Sequence, residues 1–236
     1  MIAHLIVAHP EPSSFTAAMA REAIDALTGA GHEVVVSDLY GEHFNPTAGR
    51  HDFTSVADPE RFHYQSEQLN AARTGAFAPD LQREQDRVSS ADLFVFVFPI
   101  WWGGVPAILK GWFDRVLAYG FAYEDGMRYE TGYFAGRTGI MGVTTGGTPH
   151  RFSADGAYGT IEQVLWPTQH CMIEYLGLTT PEPFVAYASP RVSDDERAAY
   201  LAAWRVRVLE AAQTQASRAP VVAERRVATS SWSSGG

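Results

Sequence analysis

Residues 92–123 read DLFVFVFPIWWGGVPAILKGWFDRVLAYGFAY, and they hold one complete repeat of the fold. From Asp92 to Phe98 nearly every position is apolar, so the run has no solvent face, as a strand covered on both sides requires. Pro99 to Gly104 interrupts it, and from Val105 to Tyr119 apolar residues return at helical spacing. A buried strand, a loop at its end and a helix make the unit from which parallel sheets are built.

The same order recurs outward in both directions. Strand patterns stand at Met1 to Ala8, Glu33 to Ser37, Arg137 to Val143 and Phe184 to Ala188. Helical patterns stand at Ser14 to Thr28, Pro79 to Ser90, Ile161 to Tyr175 and Asp194 to Ala212. Five alternations predict an α/β domain over residues 1–213: a doubly wound five-stranded parallel sheet with helices on both faces. Arg50 to Arg73 reads as a long connection with few hydrophobic repeats, and residues 214–236, small and polar, as a tail without fixed structure.

The 236 residues carry a net charge of −9, which disfavours a nucleic-acid partner, because that needs a basic face against phosphates. Cys171 is the only cysteine, so no disulfide forms within the chain. The start, MIAHLIVAHPEP, turns polar too early for a membrane span and has no cationic leader. The expectation is a cytoplasmic protein with small-molecule partners and no membrane insertion.

In a sheet of order 2-1-3-4-5, ligands bind beyond the carboxyl ends of the strands, where the winding reverses. Three loops converge there: HPEPSSF after the first strand, PIWWGG after the third and TTGG (Thr144 to Gly147) after the fourth. Ser13, Ser14 and Thr16 fall at a helix start, where free amides and the helix dipole suit a phosphate; a serine that only caps the helix reads equally well. Trp101 and Trp102 either present a face to something flat or cover the helix that follows. Paired glycines permit close backbone approach to a ligand. No GxGxxG follows the first strand, no GxxxxGK[ST] or GxSxG occurs, and the histidines show no metal-ligand spacing.

FPIWWGGVPAILKGWFDRVLAYGFAY, with AHPEPSSF, TTGG and VLWPTQ, resembles the NAD(P)H:quinone oxidoreductase (DT-diaphorase-like) family, from about Ile2 to Glu210. The resemblance implies a flavodoxin-like fold, a homodimer with the site at its interface, and a non-covalent flavin, FAD rather than FMN. It implies that His9, Ser14, Phe15 and Thr16 contact the flavin's phosphates and ribose, and that Pro99, Ile100, Trp101 and Trp102 line the isoalloxazine edge near N5. Thr144, Thr145, Gly146 and Gly147 would wrap the edge near N1 and O2, where negative charge gathers on reduction. His63 corresponds to a glutamine reaching across the dimer, and Arg197 to an arginine near the adenine. NADH or NADPH would pass hydride to the flavin and leave, and a quinone-like acceptor would then take it up in the same place. Trp102, Tyr123 and Tyr129 would wall the substrate cavity. The family's tyrosine and histidine after TTGG are Phe152 and Tyr158 here, so the glycine amides, with Tyr158 assisting, are expected to hold the charge. Two other readings share the fold: an electron carrier without a nicotinamide pocket, and a regulatory partner of a membrane transporter.

Overall fold

The computed structural model describes residues 1–218. Five parallel strands, β1 (Ile2–Val7), β2 (Glu33–Asp38), β3 (Leu93–Pro99), β4 (Thr138–Thr144) and β5 (Phe184–Ala186), form one sheet in the order β2-β1-β3-β4-β5. The central pairing runs in register from Leu93 opposite Thr138 to Pro99 opposite Thr144. The edge pairing of β5 covers only Gly142 to Thr144.

β3 shows why its sequence is apolar throughout. Phe94, Phe96 and Phe98 enter a layer with Leu109, Trp112 and Val116 on one side of the sheet. Leu93, Val95 and Val97 enter the opposite layer with Met19, Leu27, Trp204 and Val208. The two-residue side-chain repeat of a strand feeds both cores alternately. The first layer belongs to α2 (Tyr64–Thr74), α3 (Pro79–Ser90), α4 (Ala107–Val116) and α5 (Ile161–Thr168), the second to α1 (Phe15–Gly29) and α6 (Asp194–Ala216).

The structure corrects four boundaries. The connection expected from Arg50 to Arg73 contains α2. Its inward face carries Glu67 and Gln68 beside Ala71, so it lacks the apolar period by which helices are read. Glu67 is buried and accepts the amides of Ala57 (2.7 Å) and Asp58 (3.3 Å), while Gln68 accepts from Tyr119 N–H and donates to Asp114 O. α4 starts after Pro106 and stops at Val116 rather than Tyr119. α5 ends at Thr168 and passes into a wide π turn, Gln169–Ile173; Pro167 lacks the N–H that would continue the regular ladder. α6 runs to Ala216, past the boundary expected at 213, and the rest of the expected tail, from residue 219, lies outside the described residues.

Candidate functional site

The sheet brings the expected loops together. Main-chain bonds continue the ladder past the strand ends: Ala8 N–H donates to Val97 O (3.0 Å), Ile100 N–H to Thr144 O (2.9 Å) and Thr145 N–H to Ala186 O (3.1 Å). Beyond them lies a cleft of about 460 Å³. The first loop contributes His9, Ser13, Ser14, Phe15 and Thr16, the third Pro99, Ile100 and Trp101, and the fourth Thr144, Thr145 and Gly146. Arg197 also lines it, together with Ser189 and Pro190. The last two follow β5, and the rule that ligands sit beyond strand ends could have found them.

At the α1 end the groups suit an anion. Ser14 caps the helix, its hydroxyl accepting Ala17 N–H at 3.1 Å, and the positive end of the helix faces the loop. His9 Nδ1 lies 3.0 Å from Glu11 N–H and 3.2 Å from Glu11 O, so the ring is held against the loop backbone. Glu11 takes Ser13's hydroxyl (2.6 Å) and amide (2.8 Å), and these bonds hold its carboxyl below the usual range. Buried Thr16 and Thr144 share a hydroxyl bond of 2.7 Å that ties α1 to the end of β4. Arg197 is braced by Ser189 O, Val192 O and Asp194.

The adjacent indoles divide. Trp101 and Gly104 exchange main-chain bonds of 3.0 and 3.1 Å across a two-residue turn. Trp102 and Gly103 at its tip have φ of 51° and 72°, the pattern of a type I′ turn. Trp101 lies 6.0 Å from the His9 ring. Trp102 is fully exposed and stands outside the cleft; an aromatic residue at positive φ is strained. So exposed, Trp102 does not cover the helix that follows.

TTGG spends most of its amides internally. Thr145 N–H serves Ala186 O, and Gly147 N–H donates to Thr145 Oγ1 at 3.1 Å. Gly147 lies just outside the cleft with Phe152 and Tyr158 against it: a Cβ there would come within 2.6 Å of the Phe152 ring and 3.3 Å of the Tyr158 ring. These two rings pack 5.2 Å apart.

His63, Tyr123 and Tyr129 lie elsewhere. His63 caps α2 through Nδ1 and lines, with Tyr123, a second cavity of about 940 Å³ that also includes Phe62, Met172 and Tyr175. Tyr129 stacks on His170 at 5.0 Å and packs edge-on against Tyr175. Among the described residues no group of three or more metal-ligating side chains occurs, and no helix is long and apolar enough to cross a membrane.

The lining suits a flat ring with a phosphate handle: it combines the helix start, hydroxyls and Arg197 with Pro99, Ile100, Trp101 and an exposed glycine loop. A doubly wound sheet with this site at its switch point defines a flavodoxin-like protein, and the family model of the flavodoxin-like fold matches residues 1–208. The chain belongs to the NAD(P)H:quinone oxidoreductase family. It is 41% identical over 205 residues to NAD(P)H dehydrogenase (quinone) 1 of Cavia porcellus, covering 86% of this chain and 74% of that one. Ribosyldihydronicotinamide dehydrogenase (quinone) of Pongo abelii is 40% identical, over 86% of this chain and 89% of its own. A solved Klebsiella pneumoniae structure superposes with a TM-score of 0.84 at 36% identity, over 88% of this chain and 83% of that one.

Proposed function

We propose that this chain is a flavin-dependent NAD(P)H:quinone oxidoreductase. The observation that carries the reading is the convergence of three loops, from β1, β3 and β4, on one cleft that combines a helix start suited to an anion with an aromatic wall. A bound flavin supplies two-electron hydride transfer between a nicotinamide and a quinone-like acceptor. The protein's part is position and electrostatics. The start of α1, with Ser14, Phe15 and Thr16, holds the phosphates, and the His9 ring adds a polar contact beside them. Glu11 must release Ser13 for that loop to give all its donors to a phosphate, since its carboxylate now occupies the amide and hydroxyl. Ser189, Pro190 and Arg197 extend the cleft beyond the helix terminus, which supports FAD over the shorter FMN. Pro99, Ile100 and Trp101 form one edge of the ring's seat, and Thr144 to Gly147 the other.

The second cavity supports a homodimer. Tyr123 and His63 line it rather than the cleft, so they reach a nicotinamide or quinone only from a second copy, as does Tyr129 beside it. Trp102, exposed on its turn, is then enclosed by the partner.

The purified chain should be yellow and should release FAD on denaturation. NADPH or NADH should bleach the bound flavin anaerobically, and a naphthoquinone should restore its colour, with parallel lines in double-reciprocal plots. A colourless protein that refuses added flavin would overturn the reading. A flavin that takes electrons from a protein donor but not from a nicotinamide would make it an electron carrier.

A further inference from the structure

The glycine loop faces a shortage of donors. Of its amides after β4, those of Thr145 and Gly147 are spent on Ala186 O and Thr145 Oγ1, leaving Gly146, which is exposed. One amide is a thin support for an edge that becomes negative on reduction, because anionic acceptors gather two or three donors where they are well held. A side chain has to supply the remainder.

Beyond the loop's own threonines, Tyr158 lays its ring against Gly147, while Arg191 is held to the Gly146 carbonyl. Tyr158 is tied twice to Arg151. Tyr158 N–H donates to Arg151 O at 3.0 Å, and Arg151 Nη1 donates to Tyr158 Oη at 2.9 Å. The guanidinium also lies 5.6 Å above the tyrosine ring. Gly156 lets this loop close, since a Cβ there would meet Arg151 O at 2.5 Å. A phenol that accepts from a guanidinium cannot donate its proton back to it, because arginine has no acceptor. The Tyr158 O–H is therefore left to another partner, and a fixed positive charge stands behind it.

Resting on the function proposed above, we infer that Arg151 is a positioning residue. It holds Tyr158 so that the phenol donates a hydrogen bond to the electron-rich edge of the reduced cofactor at Gly146 and Gly147, and its charge takes the place of a protonated imidazole. No bond is made or broken at Tyr158 itself. Phe152 supports the ring from beneath and contributes no donor.

A double-mutant cycle on the flavin-loaded dimer tests this, with the preference for reduced over oxidised flavin read from the midpoint potential. Arg151→Met and Tyr158→Phe should each weaken that preference roughly fivefold, at the upper end for exposed charge pairs, and the double variant should be no worse than either alone. Arg151→Lys should recover part of the loss, since an ammonium keeps the charge but not the planar fork. kcat for nicotinamide oxidation should fall with KM unchanged. Unchanged potentials with equally lowered melting temperatures would assign the pair to loop closure and overturn the inference, as would additive effects. A wild-type chain that binds no flavin would instead remove the proposed function.

Discussion

His4 sits wholly buried in β1, with Nε2 2.7 Å from Ser37 Oγ; Ser37 in turn donates to Glu84 at 2.7 Å, and Trp112 donates to the same carboxylate at 2.8 Å. Burial, with the nearby Arg87 charge, pushes the imidazole down to about 3 from its ordinary 6.5. The unfolded chain thus takes up a proton below about pH 6.5 that the folded chain refuses, and stability must fall as pH drops towards 3. At pH 5 this one group costs about 2 kcal/mol, at 1.36 kcal/mol per unit. Urea melts at pH 7 and pH 5 should show the difference, and it should shrink in His4→Gln. Trp102 offers the opposite case. Its φ of 51° costs about 1 kcal/mol that a glycine would not incur. Trp102→Gly should raise the melting temperature of the monomer while raising KM for the quinone.

At the scale of elements, α4 is set by one close approach. A Cβ on Gly111 would lie 2.2 Å from Pro46 O and 2.5 Å from Pro46 Cα, backbone atoms that cannot step aside. Gly111→Ala should therefore destabilise by about 1–3 kcal/mol despite alanine's better helix propensity, measured by denaturant midpoint. α2 depends on its buried acid: Glu67→Ala should leave the Ala57 and Asp58 amides unpaired and make residues 53–63 the first to be cut by protease, with the sheet intact. These two elements mark where reading from sequence stops. β1 and β3 were legible because nearly continuous apolar runs read as buried strands in a chain of alternating units. The cleft's three loops followed from strand order alone. α2 was not legible, because buried polar side chains carry no periodic signal until their partners are known. Nor were the start of α4 after Pro106 and its stop at Val116, the early end of α5 beside Pro167, or the separation of His63 and Tyr123 from the cleft, which depends on how distant loops fold over the sheet.

For the molecule as a whole, the second cavity fixes what assembly should do. If copies pair across it, Met172→Asp, at its partly buried lining, should give a monomer by light scattering that keeps its flavin, because the cleft belongs to one chain, yet reduces quinone at least tenfold more slowly. A variant that stays dimeric and fully active would remove that face from the assembly. The alternation along β3 reaches further than packing. Deleting any one residue between Leu93 and Phe98 would turn phenylalanines towards α1 and α6 and valines towards α4, exchanging the two interiors at once. Heritable change in length is thus barred from the strand and admitted only after Pro99, and a lineage built on this scaffold can acquire new chemistry only at the tips of its loops.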